Sequence, residues 1–372
     1  MSAMASYESP HYLISSELGQ DRAQALGAEF EALYGLFGGT FRFESSALLG
    51  KLKVKEFKDK AGFDEYLQNV AGQTKDDFVY LHYSLPERRE LLLFSKDGSD
   101  AGPSLVHQAF VQYLKAFVNN PPLWMRDGFA VYFESAAWDP KAKTLSFPEN
   151  LAWLPTAKAL LAKNAFLPLN KLLSLSPEGS RSELDVVYPE SWALASFLVG
   201  ASDKAYNRLL WDSISCLRRD AKLEENQAAI ADRAASWYVE ADAQTAFSSY
   251  LSGRKTFSDL VGDGVKSYGD KAYDAARVAF EAAAKQDAAS YLPPYYLGLI
   301  AYAAGDYSLA EFDYKSALEK GCESAVANYA LGLNAYAQKK MEDAKKYLAS
   351  AKASSPERYG QKVDELLKKI GN

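Results

Sequence analysis

The sequence predicts an α+β domain followed by an all-α repeat array, spanning residues 7–258 and 259–372. Three observations lead there. Up to residue 94 the chain alternates strand-like runs with amphipathic helical stretches. From 103 to 251 its apolar residues fall mostly at helical spacing, punctuated by proline and glycine. From 259 onward it repeats itself every 34 residues.

The elements follow in order. His11–Ser15 reads as a strand. From Asp21 a helix carries Ala23, Leu26, Phe30, Leu33, Tyr34 and Phe37 on one face, and Gly38-Gly39 is expected to end it. Lys53–Phe57 is the next strand, and the basic run Lys51-Leu52-Lys53-Val54-Lys55 alternates as a strand does, which places its lysines on one solvated face. Phe63–Leu67 lies in a short helix. Phe78–Tyr83 and Arg89–Phe94 form a hairpin around Leu85-Pro86-Glu87.

The stretch from Pro103 to Ser135 organises the domain. Ser104 is placed to cap a helix with Val106, Phe110, Val111, Leu114 and Phe117 at the helical period. Asn119-Asn120-Pro121-Pro122 stops it, since proline has no N–H and disfavours helix in the residue before it. A second helix carries Trp124, Phe129, Val131, Tyr132 and Phe133.

Pro122-Leu123-Trp124-Met125-Arg126-Asp127-Gly128-Phe129-Ala130-Val131-Tyr132-Phe133-Glu134 resembles the second active-site helix of the gluzincin (peptidase-MA-like) metallopeptidases, often P-x-W-L-x-E-G-x-A-x-Y-x-E. The resemblance covers residues 7–255, is specific only in this stretch, and implies a zincin-like fold of a small sheet plus a helical subdomain. In that family the preceding helix carries H-E-x-x-H: two histidines bind zinc and the glutamate activates water. The matching positions are His107, Gln108 and Val111. Gln108 cannot take a proton at neutral pH and Val111 cannot bind a metal. Asp127 stands at the third ligand position, one methylene shorter than glutamate. His107 is open to two readings, a metal ligand or a hydrogen-bonded core histidine. The other histidines, His11 and His82, lie away from helical spacing with it.

After Glu134 come a short hairpin at Thr144–Phe147, helices at Pro155–Leu161 and Leu167–Leu175, and a loop at Gly179–Ser182. Tyr188–Leu198 is an apolar helix, similar to the one that packs beside the active-site helices in the resembled family. Tyr188 is there either an oxyanion donor or a core aromatic. Helices follow at Ala205–Leu217, Glu225–Ala241 and Ala243–Leu251, and Lys255–Asp259 leads out of the domain.

In the last third, Gly264, Gly298 and Gly332 share one register, as do Ala276, Ala310 and Ala344, and Ala283, Ala317 and Ala351; Phe280, Tyr314 and Leu348 fill the bulky position between the alanines. This resembles tetratricopeptide (TPR) repeats: about three units, with Arg358–Ile370 as a capping helix. The resemblance implies a concave surface for a protein or peptide, lined from the first helix of each unit. The candidates are Lys266, Lys271, Tyr295, Leu299, Tyr302, Tyr329, Asn334 and Tyr336. For each tyrosine the alternative is interhelical packing.

A net charge of −6 without a lysine/arginine cluster argues against a nucleic-acid surface, and no apolar run has the length of a membrane helix. The N-terminus has no h-region. Export with a signal peptide removed, including to a periplasm, and a cytoplasmic location both stay open. Cys216 and Cys322 read as single thiols. No phosphate loop, nucleophile elbow or paired catalytic carboxylates stand out. The expectation is therefore a pseudo-peptidase domain joined to a TPR interaction module, a scaffold with no catalytic residues, metal or cofactor. The alternative is a zinc-dependent peptidase with an altered site of His107, Asp127 and Glu134.

Overall fold

The computed structural model describes residues 4–96 and 102–370. The chain forms two compact units, Met1–Arg254 and Lys255–Asn372.

The first unit begins with strands β1 (Ala5–Glu8) and β2 (Tyr12–Ser16), helix α1 (Gln20–Phe41), strand β3 (Leu52–Phe57), helix α2 (Lys60–Ala71), and strands β4 (Val79–Leu81) and β5 (Glu90–Phe94). The sheet order is β1-β2-β3-β5-β4. The pairs β2/β3 and β3/β5 are parallel, and the outer pairs antiparallel. Residues at period 2 bury one face: Tyr12, Ile14 and Ser16 from β2; Leu52, Val54 and Glu56 from β3. The buried Glu56 is satisfied by Arg22 Nε (2.9 Å) and Nη2 (2.7 Å) and by the Ser16 hydroxyl (2.7 Å).

Local expectations meet tertiary packing in several places. β1 is an unexpected strand: its alternation, Ala5 and Tyr7 half-buried with Ser6 and Glu8 exposed, spans only four residues. Helix α1 runs past Gly38-Gly39, because Phe41 is fully buried against Phe110 and Phe129, with ring centroids 5.3 and 5.0 Å away. Arg42 then caps it in the left-handed conformation. The β3 lysines are not simply solvated. Lys55 donates to the Tyr66 hydroxyl (2.6 Å) and pairs with Glu90 (3.0 Å), and Lys53 donates to the Glu87 carbonyl (2.6 Å).

Helices α3 (Gly102–Phe117) and α4 (Leu123–Phe133) form a hairpin under the sheet, followed by the β6 (Ala137–Asp139) and β7 (Thr144–Ser146) ribbon. Ser104 lies inside the first turn of α3 rather than capping it. Then come α5 (Leu154–Ala162), α6 (Leu169–Leu173), α7 (Pro177–Ser182), α8 (Leu184–Gly200), α9 (Lys204–Ser215), α10 (Leu223–Ala234) and α11 (Glu240–Gly253). The expected loop at Gly179–Ser182 is helical because Ser176 caps it, accepting from Gly179 N–H at 3.1 Å. The expected helix over 225–241 stops at Ala234, where the N–H groups of Trp237 and Tyr238 turn back onto its carbonyl. Helix α8 starts a turn before Tyr188 and carries Pro189 inside it.

The second unit is an array of helix pairs: α12 (Phe257–Gly269) with α13 (Tyr273–Gln286), α14 (Leu292–Ala303) with α15 (Tyr307–Glu319), α16 (Ser324–Ala337) with α17 (Met341–Ser354), then α18 (Pro356–Ile370). The expected exit segment Lys255–Asp259 instead holds a capping box. Asp259 N–H donates to Thr256 Oγ1 (3.1 Å), and Thr256 N–H donates to Asp259 Oδ2 (2.9 Å). The 34-residue register is physical. A Cβ at Gly264, Gly298 or Gly332 would sit 2.6–2.7 Å from the side chain of Phe280, Tyr314 or Leu348. The six register alanines are fully buried. The turn within each pair places Lys271, Gly305 or Lys339, again 34 apart, at positive φ (60°, 79° and 60°). Helix α18 covers the last pair with Tyr359 and Val363. Residues 371–372 of the expected array lie outside the described residues. No helix of the described residues is long and apolar enough to cross a membrane.

Gly128 of α4 lies against the backbone of α8, where a Cβ would come 2.3 Å from Ser191 O. Backbone cannot step aside as a side chain can, so Gly128→Ala should lower the unfolding free energy by about 1–3 kcal/mol or more. Gly35→Ala, with open space around it, should raise stability by about 0.5–1 kcal/mol. Urea denaturation of the two variants checks this.

Candidate functional site

The α3–α4 hairpin is clamped at its loop. Asn119 N–H donates to Arg219 O (2.9 Å), Asn120 Nδ2 to Ala221 O (3.0 Å), and Asn226 Nδ2 to Asn120 O (3.0 Å). These bonds place the tandem prolines so that α4 starts directly after Pro122. His107 of α3 thereby faces Glu134 at the end of α4, with Nδ1 2.8 Å from Glu134 Oε1. Gln108 lies beside the edge strand, and its Oε1 accepts the Tyr80 N–H at 3.2 Å. Val111 is half-buried and packs against the core.

Asp127 is 3 % exposed. Both its oxygens are taken by Arg126, Nε to Oδ1 at 2.6 Å and Nη2 to Oδ2 at 2.9 Å. Burial works against the charge on Arg126, but the bonds to Asp127 outweigh it and hold the guanidinium above its ordinary range. Tyr188 lies among the same charges, its hydroxyl pushed up by burial and then by Asp127; it is therefore protonated at neutral pH.

The three residues of the altered zinc site are therefore not arranged alike. His107 and Glu134 bond each other, and Asp127 bonds a guanidinium with the lone pairs a metal would use. Among the described residues, no group of three or more His, Cys, Asp or Glu side chains is placed to hold a metal ion. This donor set does not fit a zinc centre, which takes at least three protein ligands. The other histidines are occupied elsewhere. His11 bonds Glu31 (2.7 Å) and Ser45 (3.2 Å), and His82 lies 3.3 Å from the Tyr80 hydroxyl. The residue that sequence reasoning passed over is Arg126. The signal was present, a cation directly before the third ligand position.

In the array, the first helices meet one another, α12 with α14 and α14 with α16. Tyr302 and Tyr336 share one register and are half-buried; Tyr302 also touches Tyr307, centroids 5.6 Å apart. Tyr295 packs on Tyr296 and Tyr314, and Tyr329 on Tyr359 at 4.7 Å. Leu299 is half-buried and Lys266 exposed. Asn334 is 1 % exposed and donates to Tyr307 O at 2.9 Å, so it ties neighbouring units rather than lining a surface. Lys271 sits in the left-handed turn outside the first helix. Cys216 and Cys322 are free thiols.

No family model matches the sequence, and no curated protein matches it. Among solved structures, the first TPR of Spaghetti (RPAP3) bound to the HSP90 peptide SRMEEVD is similar at 21 % identity and a TM-score of 0.29, over 30 % of this chain and 87 % of that one.

One buried carboxyl lies on α8. Glu190 of α8 is fully buried; its Oε2 accepts the Leu167 N–H at 3.0 Å and its Oε1 has no partner. Burial, opposed by that N–H, pushes it up to about 8. A carboxyl raised above its unfolded value contributes stability that is full below about pH 4.5 and is lost as pH rises through about 8. Glu190→Gln should therefore gain in melting temperature over wild type as pH is raised from 6 to 9. Thermal scans across that window check it.

Proposed function

We propose that this protein is a non-catalytic binding protein: a degenerate metallopeptidase-like domain joined to a TPR-like module that takes a protein or peptide partner. The observation that carries the first half is the bidentate Arg126–Asp127 bond. With Gln108 and Val111 at two further positions, it leaves the resembled site without a general base and without a metal ligand set. The second half rests on the helix pairs in their 34-residue register, whose first helices adjoin and present Tyr302, Tyr336 and Leu299 half-buried along one layer. Half-buried tyrosines offer rigid contact area at low entropic cost. On this reading Tyr295, Tyr329 and Asn334 act mainly in packing.

The alternative, a zinc peptidase using His107, Asp127 and Glu134, has one supporting observation, the meeting of His107 and Glu134. It requires Arg126 to release Asp127.

The test is selection of a random dodecapeptide phage library on the full chain, followed by affinity measurement of enriched peptides. We expect peptides whose affinity falls about tenfold or more in Tyr302→Ala and Tyr336→Ala, as for aromatic anchors. Enriched peptides indifferent to both substitutions, or no enrichment, would refute the array as the binding surface.

A further inference from the structure

The first helices of the second and third pairs carry no charge. α14 reads LPPYYLGLIAYA and α16 reads SAVANYALGLNAYA, without Asp, Glu, Lys, Arg or His in either, although charged residues make up 24 % of the chain. The second helices differ: α13 carries Arg277 and Glu281, and α15 carries Glu311 and Lys315. Burial does not require the neutrality. Leu292, Leu299 and Tyr302 of α14, and Val326, Leu333 and Tyr336 of α16, are only half-buried, as are the charged Arg277 and Glu311. Loss of charge with enrichment in tyrosine is the compositional mark of an interface centre.

Two rows cross the array at the 34-residue spacing. Val265, Leu299 and Leu333 form one, and Tyr268, Tyr302 and Tyr336 the other. Their members are three apart within each first helix and so share a face. Val265 is 39 % exposed and the other five are half-buried. α12 does carry charge, with Lys266 next to Val265, so the neutral stretch spans the second and third pairs.

This lining restricts what can cover it. The tyrosine hydroxyls are the polar side-chain atoms that the two rows offer. Such a face can pair no charge, and it supplies no ladder of donors and acceptors for an extended backbone. An α-helix satisfies its own backbone and brings only side chains to a groove. The spacing also suits a helix. Packed helices lie about 8–10 Å apart, and residues seven apart in a helix are separated by about 10.5 Å along its axis. A helix laid across the adjoining first helices would therefore meet each in turn with residues two turns apart.

We propose that the array takes an amphipathic helix whose docking face is uncharged and carries bulky aliphatic residues seven apart, rather than an acidic or basic peptide. This rests on the array being the binding surface, as proposed above. The charged residues of the partner helix lie on its outward face.

The experiment is fluorescence polarisation of the full chain with labelled peptides. The first is a hydrocarbon-stapled helix with leucine at i, i+3, i+7 and i+10 and its charged residues confined to the opposite face. The second has glutamate in place of the leucine at i+7. The third keeps the leucines but has a central proline in place of the staple, so that it forms no continuous helix. The first should bind at least tenfold more tightly than either of the others, and its affinity should change less than about twofold between low and high salt. Tyr302→Phe should keep this binding, and Tyr302→Ala should cost about tenfold, because the ring makes the contact. Val265→Glu, at an exposed position, should weaken the first peptide and strengthen a version with lysine in place of either end leucine. Equal or tighter binding of the glutamate or proline peptide, strong salt dependence, or no binding of the first peptide overturns the proposal. If library-selected peptides still depend on Tyr302 in that case, the array stands as the surface and only the class of partner falls. Binding of the first peptide that is indifferent to both Tyr302→Ala and Val265→Glu overturns the proposal and the array reading together.

Discussion

A carboxylate buried to 3 % exposure must be neutralised, and the bond from Arg126 to Asp127 is the constraint around which the rest of the cleft is arranged. The two residues are neighbours on α4, so the guanidinium folds back along its own helix and meets the carboxylate with both prongs. A metal ion would bring two positive charges to this place, and a guanidinium brings one. Its charge is delocalised and directional, and it needs no second or third ligand. His107, on the facing helix, turns Nδ1 to Glu134. Gln108, at the position of a catalytic glutamate in the resembled family, accepts a backbone N–H from the sheet edge. His107, Gln108, Asp127 and Glu134 each bond another group of the protein.

The surrounding packing keeps this arrangement fixed. Gly128 brings α4 onto the backbone of α8, and Phe129 and Phe133 join Phe37, Phe41 and Phe110 in a continuous aromatic core. The asymmetry lies in charge. The pair satisfies Asp127, while the Lys115 ammonium is pushed down by burial and by the charges of Arg126 and Arg89.

Much of the fold was legible because it rests on periodicity. The apolar face of α1, the two strand runs of the β4–β5 hairpin, the tandem-proline break and the 34-residue register all follow from which residues share a face. What was not legible depended on long-range partners. Gly38-Gly39 reads locally as a stop, but burial of Phe41 against two other helices carries α1 through it. The break after Ala234 has no glycine or proline to announce it, and the alternation of edge strand β1 is only four residues long. The sequence singled out His107, Gln108, Val111 and Asp127 through the resemblance alone, and the bonds that His107, Gln108 and Asp127 make were not readable from it. The role of Arg126 needed geometry, as did the removal of Asn334 and Lys271 from the surface expected of the array.

The most direct measurement is the zinc content of the protein after zinc exposure and exhaustive dialysis, by elemental analysis of wild type and His107→Ala. The account predicts no stoichiometric zinc in either, because Asp127 is held by Arg126 and Val111 offers no donor. About one zinc per chain in wild type, lost in His107→Ala, would contradict it and return the cleft to metal chemistry.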